Sequence, residues 1–262
     1  MSEPVTLSAR DNPLLVSLRK LARDPGAYRK LGAVWLEGEH LCSALLARGL
    51  RPAQAVVADS AWAQPALRAL AALAPRVVRV SDALFDGFSA LESPARLGFL
   101  LTLPEVPAID PDAATVVLDR VQDAGNVGSI LRSAAAFGVG QVLALQGTAG
   151  LWSSKVLRAG MGAHFGLRLV EGLAPDDLAV LRVALVGTAL ATDQLLHRAI
   201  LPQPCAWVLG HEGQGVAPAL LARCALVLRV AQPGGEESLN VAAAAAVCLY
   251  ESLRRGLVTP TA

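Results

Sequence analysis

The stretch from Cys205 to Arg254, CAWVLGHEGQGVAPALLARCALVLRVAQPGGEESLNVAAAAAVCLYESLR, constrains the fold more than any other part of the chain. Its apolar opening, Cys205 to Leu209, runs into a glycine-broken turn, Gly210-His211-Glu212-Gly213-Gln214-Gly215. A short helical pattern over 216–222 follows, with Pro218 in its first turn, where a missing N–H costs least. A second apolar run, 224–230, alternates poorly and reads as a strand buried on both faces. Another turn, Gln232-Pro233-Gly234-Gly235, leads to Glu237-Ser238-Leu239-Asn240-Val241 and an alanine-rich helix. Two strand–loop–helix units in succession, each with glycine and polar residues at the strand's carboxyl end, describe an α/β protein and the sheet edge where such proteins bind ligands.

The same alternation runs through the rest of the chain. Residues 14–31 carry Leu14, Leu15, Leu18, Leu21 and Leu31 at helical spacing, after a helix-start pair, Asn12-Pro13. Strands are expected at 33–37, 54–58, 76–80 and 99–103, with helices between them. The segment 104–112, PEVPAIDPD, holds three prolines and three acids and reads as a linker. The boundary falls there, giving a smaller amino-terminal α/β domain (1–104) and a carboxyl-terminal domain (105–262). In the second domain, strands are expected at 115–118, 141–145 and 184–189, and helices at 127–137 and 155–161. A mainly parallel sheet covered on both faces follows from that order.

Composition narrows the class. With 53% hydrophobic and 17% charged residues the chain is core-rich and folded, and at 4% aromatic its core is built from Ala, Leu and Val. The net charge of +1 gives no argument for a nucleic-acid partner. Basic residues do gather near the start, where Arg10, Arg19, Lys20, Arg23, Arg29 and Lys30 face only Glu3, Asp11 and Asp24. Cys42, Cys205, Cys224 and Cys248 sit singly in apolar runs, and neither they nor the histidines have a zinc spacing. They read as buried thiols in a reducing compartment, with no metal. No leader pattern or membrane-length apolar run is visible, so a cytoplasmic protein without a membrane partner is expected.

Three polar clusters interrupt the second domain, each after an expected strand. In Asp119-Arg120-Val121-Gln122-Asp123-Ala124-Gly125-Asn126-Val127-Gly128, a glycine-rich turn before a helix lets backbone N–H groups approach an anion. If the helix begins near Val127, Asn126 is its cap and Arg132 lies on the second turn, and the plain reading stops at a cap and a solvated cation. The cluster GHEGQG fits neither the dinucleotide fingerprint nor a P-loop. Glu212, its only acid, is suited to accepting hydrogen bonds or holding an arginine. In ESLNV, Ser238 reads as a helix cap.

Together these phrases resemble the three ordered motifs of the SpoU/TrmH family of RNA ribose 2′-O-methyltransferases. NVGSILRSAAAFG matches the first, LGHEGQG the second, and the stretch from ESLNV into CLYE the third. The amino-terminal stretch NPLLVSLRKLARDPGAYRKLGAVWLEGEHL is similar to that family's ribosomal-protein-like RNA-binding domain. The resemblance implies an α/β trefoil-knot domain that binds S-adenosylmethionine, with Thr188, Gly210, Val230 and Leu239 lining the pocket. It implies a homodimer with the site at or near the subunit interface, and Asn126, Arg132, Glu212, Ser238 and Asn240 as the catalytic set. Arg132 would grip an RNA phosphate or act as base, and a permanently charged guanidinium favours the first role. Asn126 would position Arg132 or the ribose, and Glu212 would orient both Asn126 and Arg132. Arg19, Lys20, Arg23, Arg29 and Lys30 would bind RNA. One departure stands out: the family's usual Ile-Pro-Met before the third motif is replaced here by Val230-Ala231-Gln232.

The expected activity is methyl transfer to a ribose 2′-OH of structured RNA. The separate amino-terminal domain favours ribosomal over transfer RNA. A non-catalytic RNA-binding or ribosome-assembly factor on the same fold is the competing class, left open by Ala231-Gln232. A small-molecule enzyme with a nucleotide cofactor would need the glycine fingerprint that is missing here.

Overall fold

The computed structural model describes residues 3–234 and 238–258. Glu237 of the third motif and Gly235 of the preceding turn lie outside the described residues. The chain divides into two compact units, one of residues 1–105 with 152–165, the other of residues 106–151 with 166–262.

The first unit holds a five-stranded sheet made of β1 (Val5–Leu7), β2 (Ala33–Glu37), β3 (Gln54–Ala58), β4 (Val77–Val80) and β5 (Leu97–Thr102). Its order is β1-β4-β3-β5-β2, with β1, β4 and β3 parallel and β5 antiparallel to both β3 and β2. The edge strand β1 has only three residues, too few for a period to show, and sequence reading passes over it. The expected helix 14–31 is two helices, Pro13–Arg23 and Ala27–Leu31. Pro25 explains the break, because the residue before a proline is pushed out of the helical region, and Asp24 is extended (φ −94°, ψ 114°). Asn12 caps the first helix by accepting from the Leu14 N–H at 3.0 Å. Leu15, Leu18, Leu21 and Ala22 form its buried face.

Residues 152–165 read from sequence as part of the second domain, yet they pack with the first unit. Leu157 of the helix Ser154–Gly160 is buried in that unit's core, and Ser154 Oγ donates to the Ala22 carbonyl at 2.8 Å.

The second unit holds a six-stranded, wholly parallel sheet, so the expected α/β class with a mainly parallel sheet stands. Its strands are β6 (Thr115–Asp119), β7 (Gln141–Leu145), β8 (Arg168–Leu173), β9 (Ala184–Thr188), β10 (Cys205–Gly210) and β11 (Leu226–Leu228). The order is β11-β9-β10-β6-β7-β8. The chain builds outward from β6 in one direction through β7 and β8, then returns on the other side through β9 and β10. The switch lies between β6 and β10, the position where open parallel sheets bind ligands. Every residue of β6, β7 and β10 is buried, as continuous apolar runs in a two-sided parallel sheet require. The expectation of a doubly buried strand over 224–230 is corrected. The strand is confined to Leu226–Leu228 at the sheet edge, with Arg229 in an isolated bridge to Leu195, and Leu226 and Val227 remain partly exposed. β8, at the opposite edge, has too little apolar pattern to be read from sequence.

The linker joins this unit through one buried side chain. Gln141 accepts from the Asp110 N–H at 2.8 Å and donates to the Asp110 carbonyl at 3.1 Å and to Thr115 Oγ1 at 3.0 Å. No helix among the described residues is long and apolar enough to cross a membrane.

Candidate active site

The parallel register sets polar residues side by side at the sheet's carboxyl edge. Gly210, the last residue of β10, pairs with Asp119 at the end of β6, and Thr188 of β9 pairs with Leu228 of β11. After Gly210 the chain makes a tight loop in which the His211 and Gly215 N–H groups each donate to the other's carbonyl, at 3.1 and 2.8 Å. The loop folds straight back over Gly210. A Cβ there would lie 2.1 Å from both the Gly215 carbonyl carbon and the Val216 nitrogen, so no other residue fits.

Two sets of contacts join this loop to the one after β6. Glu212 reaches across and accepts from the Gln122 N–H (3.2 Å), the Asp123 N–H (3.0 Å) and Asn126 Nδ2 (3.1 Å). In the other direction, buried Asp119 accepts from the Ala217 N–H at 2.7 Å. Arg120 forks onto Asp119 at 3.0 and 3.2 Å and donates to Gln214 Oε1 at 2.9 Å. Arg120 does this from a left-handed backbone (φ 59°), a conformation costing roughly 1 kcal/mol or more for a non-glycine residue. The guanidinium contacts to both loops over-determine that geometry. Sequence reading missed this latch, since neither a left-handed arginine nor an ion pair between adjacent residues leaves a pattern.

The helix after β6 spans Ala124–Ala136, and its cap is Asp123, whose carboxylate accepts from the Asn126 N–H at 2.8 Å. The expectation that Asn126 caps it is therefore corrected. Asn126 lies inside the first turn, which frees its side chain to work across the site. Its Oδ1 accepts from Asn240 Nδ2 at 2.9 Å. Asn240 Oδ1 in turn accepts from the Ala242 and Ala243 N–H groups, at 2.9 and 3.3 Å, capping the helix Val241–Val258. The cap expected at Ser238 is thus Asn240, while Ser238 stands exposed two residues earlier.

This chain of hydrogen bonds has a fixed polarity. A carboxylate at one end only accepts, and backbone N–H groups at the other end only donate. Both asparagine amides between them therefore have one allowed orientation. Burial pushes the Glu212 carboxyl up, but the bonds it accepts, from Asn126 and then from the backbone, outweigh this and hold it below its ordinary value.

Arg132 is not drawn into this network. It is exposed and six residues beyond Asn126, about 120° around the helix from it. With the helix beginning at Ala124 it lies in the third turn, one later than expected. Glu212 orients Asn126 but not Arg132.

The same loops enclose a pocket of about 490 Å³. Thr188, Gly210, Val230 and Leu239 all stand on its walls, as do Glu212 and Ser238. Leu239 is 40% exposed. The Thr188 hydroxyl is engaged, donating to the Val208 carbonyl at 3.3 Å. Among the described residues no cluster of three His, Cys, Asp or Glu could hold a metal. The buried Cys205 and Cys248 have their thiols pushed up to about 11 and 12 by desolvation, as does half-buried Cys224, to about 11, so none supplies a thiolate near neutrality.

In the first unit the five basic residues lie on two consecutive helices. Arg19 and Arg23 both donate to the Gly87 carbonyl, at 3.2 and 3.4 Å, and the Arg29 guanidinium lies 4.7 Å from the Tyr28 ring centroid. Lys20 and Lys30 are exposed.

Comparison with known proteins agrees with this architecture. The sequence model of the SpoU rRNA Methylase family matches residues 113–250. Over 174 residues the chain is 34% identical to the 23S rRNA (guanosine(2553)-2′-O)-methyltransferase RlmP of Bacillus subtilis, covering 65% of this chain and 70% of the relative. A crystal structure of an RNA 2′-O ribose methyltransferase superposes with a TM-score of 0.80 at 29% identity, over 98% of this chain and 100% of that one. The AdoMet-bound rRNA methyltransferase from Sinorhizobium meliloti shares the fold, with a TM-score of 0.84 at 24% identity over 97% and 98% of the two chains. With three motifs joined at one sheet edge and a family match spanning more than half of its length, this chain belongs to the SpoU rRNA methylase family.

Proposed function

We propose that this protein transfers a methyl group from S-adenosylmethionine to a ribose 2′-OH of structured RNA, with ribosomal RNA as the favoured substrate. The observation that carries this reading is the Glu212–Asn126–Asn240 chain standing on the rim of the 490 Å³ pocket, with Glu212 belonging to both. The pocket suits the donor. Its volume lies within the roughly 300–1,000 Å³ of small-molecule sites, it is walled by three loops rich in backbone groups, and Gly210 presents no side chain to it.

When bound, S-adenosylmethionine supplies a methyl carbon already activated on a sulfonium. The residues of this chain then have to align a hydroxyl in line with it and ease the loss of its proton. Asn126 and Asn240, each held in one orientation, and Ser238 beside them are the groups placed to do so. Arg132 makes no hydrogen bond or ion pair among the described residues, which suits a guanidinium that grips an RNA phosphate. The exposed Lys20 and Lys30, with Arg19, Arg23 and Arg29, belong to the RNA-facing surface of the first unit.

A homodimer through the second unit, and the trefoil knot of the family, are parts of the same proposal. Val247 and Tyr250 stand 41% and 53% exposed on the last helix, the Tyr250 ring edge-on to Phe137 at 5.8 Å. That apolar surface is one a second copy would cover. Action in the cytoplasm belongs to the same proposal.

Arg132→Ala is the discriminating experiment. Calorimetry should find donor binding within about threefold of wild type, with methyl transfer to RNA abolished. Loss of donor binding together with transfer would contradict the role given to Arg132.

A further inference from the structure

Gln232 stands on the wall of the same pocket, and its Oε1 is sealed from solvent with no hydrogen-bond donor among the described residues. A buried carbonyl oxygen left in that state is costly unless something arrives to satisfy it. Several other polar groups of the pocket are already engaged, while the exposed Ser238 hydroxyl is open to solvent. Both Glu212 oxygens accept from the neighbouring loop, Gln214 Oε1 accepts from Arg120, and the Thr188 hydroxyl is spent on Val208. Among the described residues of the pocket wall, Gln232 Oε1 is the side-chain acceptor that is both buried and without a partner, and it is uncharged.

We propose that Gln232 reads the amino-acid end of the methyl donor, its Oε1 accepting a hydrogen bond from the α-ammonium. The inference rests on the donor-binding reading above. The chemistry that selects this group is direct. The ammonium carries a charge and three N–H bonds that leave water on binding, and charge-assisted hydrogen bonds are the strong ones. The single carboxylate on the wall is already committed to the loop after β6. A methionine side chain at this position could offer only a weak thioether acceptor.

The test is titration calorimetry of wild type, Gln232→Met and Gln232→Glu with three probes: S-adenosylmethionine, S-adenosylhomocysteine, and 5′-methylthioadenosine, which keeps the nucleoside and lacks the amino-acid end. Gln232→Met should weaken the first two about tenfold and leave 5′-methylthioadenosine unchanged. Gln232→Glu, which keeps an acceptor oxygen, should hold S-adenosylhomocysteine within about threefold of wild type. Equal affinity of wild type and Gln232→Met for S-adenosylhomocysteine overturns the proposal. So does an equal loss on 5′-methylthioadenosine, which would assign the contact to the nucleoside. A tenfold loss in Gln232→Glu would mean that the amide donates instead of accepting. Failure of wild type to bind any of the three would instead overturn the donor-binding reading itself.

Discussion

Asn240 donates its side-chain amide to Asn126 Oδ1 at 2.9 Å, across 114 residues of chain, while its own oxygen caps the last helix. One side chain thus does two separable jobs. Asn240→Asp keeps the cap and loses the donor, and Asn240→Ala loses both. Thermal unfolding should show Asn240→Ala less stable by about 1 kcal/mol and Asn240→Asp nearly unchanged. Methyl transfer should fall at least tenfold in both. An active Asn240→Asp would mean that the contact with Asn126 is structural only.

Glu212 works because a carboxylate accepts without donating. Glu212→Gln replaces one oxygen by an NH₂ that faces N–H groups, and at this exposed site the loss should be about 1 kcal/mol or less in stability. Donor affinity should suffer more, since Glu212 also forms the pocket wall. Its carboxyl is lowered in the folded state, so its contribution is full above the ordinary carboxylate value of 4.5 and fades as pH falls through the lowered one. Donor binding followed by fluorescence or calorimetry should therefore stay level from neutrality to about pH 5 and decline only in stronger acid. Glu212→Gln should abolish that acid limb.

Gly210→Ala tests the close approach of the returning loop. A methyl group set 2.1 Å from the Gly215 and Val216 backbone must push the loop outward, taking Glu212 with it. Calorimetry should show donor affinity reduced by more than tenfold, with the far-ultraviolet circular dichroism of the fold kept. Unchanged affinity would mean that the loop adapts and that Gly210 is not needed for its shape.

Four of the five basic residues on the first two helices separate into two groups. Arg19→Ala and Arg23→Ala should lower stability, because each removes one of the two hydrogen bonds to the Gly87 carbonyl. Lys20→Ala and Lys30→Ala should leave stability alone and weaken RNA binding. Each lost phosphate contact should reduce the slope of log affinity against log salt by about 0.7–0.9. Filter binding across a salt series reads this directly, and an unchanged slope would move the RNA surface elsewhere.

Sequence carried much of this site. The residue types of the three motifs, their order, and the glycine-broken turns after buried strands were visible, and the structure brings Asn126, Glu212 and Asn240 within hydrogen-bond reach. Which residue caps each helix was not. Asp123 and Asn126 are both good caps, as are Ser238 and Asn240, and an apolar period cannot set a helix start to within three residues. Arg132 shows a different limit, because shared membership of a motif says nothing about a shared helix face. The latch of Asp119 and Arg120 depends on a positive φ, which no pattern of residue types announces in an arginine. Segment 152–165 has a helical pattern, but amphipathicity tells only that Leu157 is buried, not in which core.

The central claim is methyl transfer to a ribose hydroxyl, and one assay tests it most directly. Labelled methyl from S-adenosylmethionine would be offered to total RNA from a strain lacking this gene, and the products subjected to alkaline hydrolysis. The account predicts label in ribosomal RNA within an alkali-resistant dinucleotide, because only a blocked 2′-OH prevents cleavage of the adjacent phosphodiester. Label released as a base-modified mononucleotide, or no label from a protein shown to be folded, would contradict it.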